Sequence, residues 1–202
     1  MDSTLGYRKS MPDPLLLPVP SSIETSRLLL RSFRVEDAQV LHEALIESIA
    51  ELRRHLGFLS WVAEEQTLQS AEVRCRKAAA NFLLRTDLPF LAFEKATDRL
   101  VGSVGLHRTD WMVPKTEVGY WLRSSETGKG FASECVIALS KWALDVLGAK
   151  RVELVTDEKN LGSRAVAERC GFGLEGIMRN VMRDTDGSLR NSCVYARLAS
   201  TA

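Results

Sequence analysis

The stretch Tyr120–Glu134, YWLRSSETGKGFASE, decides the fold because it combines a strand end, a glycine-rich turn and a helix start. Gly128 and Gly130 let the backbone approach a ligand closely. The free N–H groups of a helix's first turn add the positive end of the helix dipole, which suits phosphate or pyrophosphate. The stretch is not a P-loop, because Lys129 is followed by Gly130 and not by Ser or Thr. It is not the dinucleotide-binding motif G-x-G-x-x-G either, because Ser133 takes the place of the third glycine. On this stretch alone, a turn that only reverses the chain is an open alternative.

Before this stretch, the apolar pattern predicts a strand, two helices and three further strands. Period-two alternation predicts the first strand within Arg27–Arg34. Apolar steps of three and four predict a helix from Val35 to a stop at Gly57, and a second helix over Leu68–Phe82. The three further strands lie at 89–95, 100–108 and 116–122, and an antiparallel meander is their simplest connection.

After the turn, the pattern predicts a helix, a strand, a short helix and a closing hairpin. These elements lie at 132–147, 151–156, 161–170, 173–182 and 191–198. Asp186-Gly187 is the hairpin signal between the last two strands. The order of elements predicts a mixed α/β fold, with a mostly antiparallel central sheet of about seven strands and flanking helices.

Composition indicates one domain in the cytosol. The 202 residues are 45% hydrophobic, and 27 Lys and Arg nearly balance 26 Asp and Glu. A net charge of +1 argues against nucleic acid or an anionic membrane as partner. The opening residues lack a secretory signal, and no apolar run is long enough to cross a bilayer.

Cysteine and histidine spacing predicts no metal site, and prolines mark an N-terminal arm. The four cysteines form no C-x-x-C pair and are expected to be buried thiols, and no H-x-x-x-H pair occurs. Residues 1–22 carry four prolines, which predicts an extended arm that lies on the domain or on a second subunit, or a disordered tail. Residues 23–202 form the predicted domain.

The segments ETSRLLLR, EVGYWL, TGKGFASE, KNLGSRAVAERCGF and EGIMRN resemble the GCN5-related N-acetyltransferase (GNAT) superfamily. Within it, the resemblance is to the ribosomal-protein N-terminal acetyltransferases, the RimJ/RimL-like group, and it covers about residues 23–200. It implies the GNAT fold, with a splayed cleft between the fourth and fifth strands. It also implies acetyl-CoA as co-substrate, no metal, and acetyl transfer to an amine, which for this group is a protein N-terminal α-amine.

The family's turn pattern is Gln or Arg, two residues, Gly, one residue, and Gly or Ala, and here Thr127 replaces the first residue. The resemblance implies that backbone amides of this turn hold the pyrophosphate of CoA while pantetheine enters the cleft like a strand. Asn160 and Ser163 match the family's N-x-x-S, near pantetheine and sulfur, although both are equally good helix caps. The implied cofactor-binding residues are Leu122, Arg123, Thr127, Gly128, Lys129, Gly130, Phe131, Ala132, Asn160 and Ser163.

Catalytic roles are expected for three residues. The backbone N–H near Leu122 would stabilise the oxyanion, and Ser163 would donate to the departing thiolate. Glu117, on the strand leading to the cleft, is the best candidate base, because burial would make it a stronger one. Close relatives carry a glutamate where this chain has Met182, and the nearby Asp184 and Asp186 are weaker candidates.

The acceptor is left open by the sequence. Deprotonating a lysine at pH 7 costs about 4.6 kcal/mol, whereas an α-amine costs only about 1–1.4 kcal/mol, so an N-terminal amine demands less of a base. Acceptor contacts are expected from the Arg53–Trp61 turn, Trp111 and Met112. A small amine such as an antibiotic or an aminoacyl nucleotide is an alternative acceptor, and a non-catalytic acyl-CoA sensor is an alternative function. A monomer and a homodimer are both compatible with the sequence.

Overall fold

Eight strands form one sheet in the structure, a computed structural model that describes residues 13–199. The strands are β1 (Ser22–Glu24), β2 (Leu28–Ser32), β3 (Leu88–Glu94), β4 (Arg99–Asp110), β5 (Lys115–Leu122), β6 (Arg151–Asp157), β7 (Gly173–Arg183) and β8 (Leu189–Leu198). Their order in the sheet is β1-β2-β3-β4-β5-β6-β8-β7. Every neighbouring pair is antiparallel except β5 and β6, which confirms the predicted mostly antiparallel sheet.

Helices cover both faces of this sheet. They are α1 (Ala38–Leu56), α2 (Ser60–Ala63), α3 (Leu68–Leu84), α4 (Phe131–Asp145) and α5 (Leu161–Arg169). On one face, Leu139 of α4 belongs to the same buried cluster as Leu106 of β4. On the other face, Leu41 of α1 clusters with Leu91 of β3. Side chains alternate along a strand, so His107, the neighbour of Leu106 on β4, faces the α1–α3 side of the sheet.

The sheet opens between its two parallel strands. β5 and β6 pair only over their first three residues, from Lys115 and Arg151 to Glu117 and Glu153. Beyond that point β5 stays paired with β4 as far as Leu122, and β6 stays paired with β8 as far as Asp157. The two strands therefore diverge into a fork toward their carboxyl ends. This is the predicted splayed cleft, and it lies between the fifth and sixth strands only because β1 precedes the predicted first strand.

Two short elements were not predicted. β1 has three residues and forms by pairing with β2, so its own sequence is too short to show a period. α2 is a single turn after α1, and the Val35–Asp37 segment predicted as helix is a 3-10 turn before α1.

The described part of the proline-rich arm lies on the domain. Pro14–Leu16 form a 3-10 turn with proline at its start, where the missing N–H costs no hydrogen bond. The Leu17 carbonyl accepts from Arg85 Nη2 at 3.3 Å, and Val19 packs against the core. The arm's first twelve residues fall outside the described range.

All four cysteines are free and buried, as predicted. No helix within residues 13–199 has the length and apolar content needed to cross a bilayer. The same residues contain no group of three or more His, Cys, Asp or Glu placed to hold a metal ion.

Candidate active site

The fork is lined by backbone groups that no strand uses. Arg123 N–H donates to the Val101 carbonyl at 2.8 Å, so the alternation of an antiparallel ladder turns the N–H and C=O of Tyr120 and Leu122 toward the fork. On the β6 side, Glu158 N–H donates to the Asn191 carbonyl of β8 at 3.0 Å. The same alternation therefore turns the backbone N–H and C=O of Val155 toward the fork. Both edges can therefore pair with an extended ligand that carries amides.

The turn after β5 presents a second set of free donors. A 3-10 turn at Ser124–Glu126 leads to Gly128 and Gly130, whose φ angles are +75° and +84°, and Gly130 is the N-cap of α4. Within the described chain, the backbone N–H groups of residues 128–133 donate to no protein atom. With the dipole of a 15-residue helix behind them, these groups have the chemistry to bind an anion, and their role in binding CoA stays a prediction.

Arg27, which lies just before β2, holds this turn in place. Its guanidinium lies 4.5 Å from the centre of the Phe131 ring, donates to the Lys129 carbonyl at 3.0 Å and pairs with Glu134 at 2.7 Å. Burial alone would raise the pKa of Glu134, but hydrogen bonds from Thr25 and Arg27 outweigh it and lower the pKa to about 2. The turn is therefore held in shape by contacts within the protein.

Three predicted cofactor residues have side chains that are engaged within the protein. Lys129 Nζ pairs with Glu126 at 2.8 Å, and Thr127 Oγ1 donates to the Ser124 carbonyl at 2.9 Å. Arg123 pairs with Glu47, and its N–H is already used by Val101. The cofactor-binding roles of Arg123, Thr127 and Lys129 stay predictions.

Asn160 and Ser163 meet at the fork, joined there by a tyrosine that sequence analysis missed. Asn160 Oδ1 accepts from Ser163 N–H at 3.0 Å, so Asn160 is the N-cap of α5. The Tyr120 hydroxyl, reaching over from β5, donates to Ser163 Oγ at 3.0 Å. Burial raises the pKa of Tyr120 to about 12, which keeps it a donor at neutral pH. The cofactor roles of Asn160 and Ser163 stay predictions.

Glu117 lines the site, but its carboxylate is occupied. Arg108 donates to both of its oxygens, from Nε at 2.9 Å and from Nη2. Its role as the base stays a prediction. Met182 lines the same cavity without an ionisable group. Asp184 pairs with Arg190 at 2.8 Å, and neither it nor Asp186 lines the cavity.

One cavity of about 1580 Å³ runs from the fork to the α1–α3 face. The predicted Arg53–Trp61 turn contributes most of its residues to the lining. Trp111 and Met112 do not, because Trp111 Nε1 donates to the Arg85 carbonyl at 3.4 Å outside this cavity and Met112 points into solvent. The fork and the α1–α3 face therefore share one continuous space.

Known proteins are similar to this chain in sequence. A family model described as "Acetyltransferase (GNAT) domain" matches residues 27–173, more than half of the chain. The N-acetyltransferase YoaA of Bacillus subtilis, whose own description is "uncharacterized", is 26% identical over 174 residues, covering 86% of this chain and 94% of that protein.

Two solved structures share the fold. RimL, a ribosomal L7/L12 alpha-N-protein acetyltransferase in complex with coenzyme A, has a TM-score of 0.81 and 22% identity, covering 88% of this chain and 98% of its own. MccE, a microcin C7 self-immunity acetyltransferase in complex with acetyl-CoA and AMP, has a TM-score of 0.80 and 20% identity, covering 89% and 97%. The fork and the free amides of the turn fit a CoA thioester. The chain belongs to the GNAT acetyltransferase family and is an acetyl-CoA-dependent N-acetyltransferase.

Proposed function

We propose that the acceptor is a protein N-terminal α-amine, which attacks acetyl-CoA directly in a ternary complex. The observation that carries the proposal is the single cavity joining the fork to the α1–α3 face, because it gives both substrates a place at once. An acyl-enzyme route through cysteine would need a thiol in that cavity. None of the four cysteines lines it, and burial raises the pKa of Cys75 to about 11 and of Cys135 to about 12.

The residues of the fork have distinct parts in this proposal. The amides of residues 128–132 bind the diphosphate of acetyl-CoA, and the backbone of Tyr120, Leu122 and Val155 binds its pantetheine arm. The fork-facing N–H groups of Tyr120 and Leu122 are the donors available to the thioester oxygen as it gains charge. Ser163, supported by the Tyr120 hydroxyl, donates to the sulfur as it leaves.

Charge and surface on the α1–α3 side favour a polypeptide N-terminus. Glu51, Glu64 and Glu65 line the cavity there and would attract a cationic amine. Phe58 and Val73 line it as well and are 38% and 45% exposed, which gives a polypeptide apolar surface to pack against. An α-amine also needs only about 1–1.4 kcal/mol to deprotonate at pH 7.

One observation favours a second acceptor, a small amine that carries an anionic group, such as an aminoacyl nucleotide. Arg74 lines the cavity with its guanidinium 4.1 Å from the centre of the Trp61 ring. Its buried Nε has no hydrogen-bond partner among residues 13–199, and burial lowers the pKa of Arg74 to about 10. A cation held in this way would bind a phosphate or carboxylate of the acceptor.

Thiol release from acetyl-CoA separates these acceptors. The panel contains peptides with free N-termini, the same peptides with blocked N-termini and one internal lysine, and small amines with and without a phosphate. We expect release with free N-termini and none with blocked ones. Faster release with phosphate-bearing small amines, lost on Arg74→Met, would favour the second acceptor. Tight CoA binding with no release for any acceptor would indicate a non-catalytic sensor and overturn the proposal.

A further inference from the structure

A histidine–aspartate pair lies in the acceptor part of the cavity. His107 Nδ1 is 3.2 Å from Asp87 Oδ1, and Asn81 Nδ2 donates to the other oxygen of Asp87 at 3.2 Å. Both His107 and Asp87 line the cavity. The hydrogen bond with His107 lowers the pKa of Asp87, so this carboxylate is ionised at neutral pH. An ionised partner at Nδ1 favours the tautomer that carries its hydrogen there, which leaves a lone pair on Nε2.

Two glycines make room for the ring beside the fork. Gly105 of β4 and Gly119 of β5 are register partners, and the imidazole lies across both. A Cβ on Gly105 would lie 2.8 Å from Nε2, and one on Gly119 would lie 3.1 Å from Cδ2. The ring therefore lies over the β4–β5 pair on the α1–α3 side, and the residue after Gly119 is Tyr120, whose N–H faces the fork. Asp87 is its one hydrogen-bond partner among residues 13–199.

Two carboxylates near the fork, those of Glu117 and Asp157, pair with cations. Glu117, the cross-strand partner of His107, gives both oxygens to Arg108. Asp157, buried at the end of β6, pairs with Arg190 at 2.6 Å. A carboxylate held by a guanidinium is a weaker proton acceptor than a neutral imidazole with a free nitrogen.

We propose that His107 Nε2 accepts the proton of the attacking amine and that Asp87 positions the ring; this rests on the acetyl transfer proposed above. The amine nitrogen forms a bond to the thioester carbon, the carbonyl electron pair moves to oxygen, and one amine proton moves to Nε2. The carbonyl electron pair returns to the carbon–oxygen bond, the carbon–sulfur bond breaks, and the sulfur takes the hydroxyl proton of Ser163. His107 then releases its proton to water, and Ser163 takes a proton back from water, so atoms and charge balance.

The charges around the ring come from four elements. Asp87 precedes β3, Arg108 follows His107 on β4, Glu117 faces it from β5, and Lys77 and Arg74 line the cavity from α3. Asp87 is the charged group that contacts the ring directly, so removing its carboxylate is expected to disturb the placement of the ring.

The test compares H107Q, D87N and E117Q in kcat against pH and in CoA affinity. H107Q is expected to lower kcat about 10²–10⁴-fold, the range for general base catalysis. It is also expected to remove the fall in kcat at low pH, the acid limb, with CoA affinity unchanged. D87N is expected to lower kcat less than H107Q does, with CoA affinity unchanged. E117Q is expected to keep the limb. H42Q, on α1 outside the cavity, is the control and should match the wild type.

A second measurement guards against a folding defect. H107A with added imidazole should regain part of its rate, which a merely structural histidine would not allow. Loss of the acid limb in E117Q but not in H107Q would overturn the inference, as would H107A that folds but gains no rate with imidazole. A wild type inactive on every α-amine but active on a small amine would overturn the proposed acceptor alone, and the same variants would then be tested on that amine.

Discussion

Replacing Gly130 by valine should weaken CoA binding about 10²–10⁴-fold and leave the domain folded. Gly130 is the N-cap of α4 with a φ of +84°, and among residues 13–199 an added Cβ would have only Arg27 Nη2 within 4 Å, at 3.5 Å. Valine in this conformation costs about 1–3 kcal/mol, or roughly 2–12 °C in Tm for a chain of this size. Its side chain would also disturb the amides that bind the diphosphate. Losing two hydrogen bonds to charged oxygens costs about 3–6 kcal/mol, roughly a 10²–10⁴-fold rise in Kd.

Gly148 offers a matched control just after the other end of α4. Its φ is +80°, and an added Cβ would meet no atom within 4 Å among the described residues. Gly148→Val should therefore lose a similar amount of Tm and keep its CoA affinity. Calorimetric titration with CoA and thermal unfolding of both variants measure the two effects separately. Equal CoA affinity in Gly130→Val and the wild type would refute the anion site, and equal weakening in both variants would show that strain alone explains the loss.

Three further outcomes are expected. Arg27→Ala should raise the Kd for CoA about tenfold, because the Lys129 carbonyl and Glu134 lose their common partner. Replacing the exposed Arg76 by alanine is the control and should leave the Kd unchanged. Equal Kd values for both variants would contradict the role of Arg27 in holding the turn. Tyr120→Phe should lower kcat about tenfold with little change in CoA affinity, and a pKa of about 12 predicts that the wild type loses no rate to Tyr120 ionisation up to about pH 10. Glu134 has its pKa lowered from 4.5 to about 2, so its stabilising effect is complete above pH 4.5 and lost as the pH falls toward 2. The Tm gap between wild type and Glu134→Gln should narrow over that range, and a constant gap would contradict this.

Local patterns predicted most of the fold. The glycine spacing at 128–130 lies within a few residues of the helix that it caps, and the apolar steps of α1, α3 and α4 each lie within one element. β1 and α2 were not predicted because each is too short to show a period, and both depend on their packing partners.

The site was predicted less completely, since its side-chain contacts join distant parts of the chain. Arg27 contacts Glu134 across 107 residues, and Tyr120 reaches Ser163 across 43. The ion pair of Arg108 with Glu117 is closer in sequence, but it depends on the register of β4 and β5. Backbone roles in the turn could be inferred from glycine and helix patterns, whereas these side-chain partners needed the sheet order.

A crystal structure of the complete chain with acetyl-CoA tests the central claim most directly. We predict that the diphosphate oxygens accept from the amides at 128–132 and that the pantetheine amides pair with Tyr120, Leu122 and Val155. The thioester should end beside the imidazole of His107. A thioester bound elsewhere on the protein, with those amides facing only water, would contradict the account.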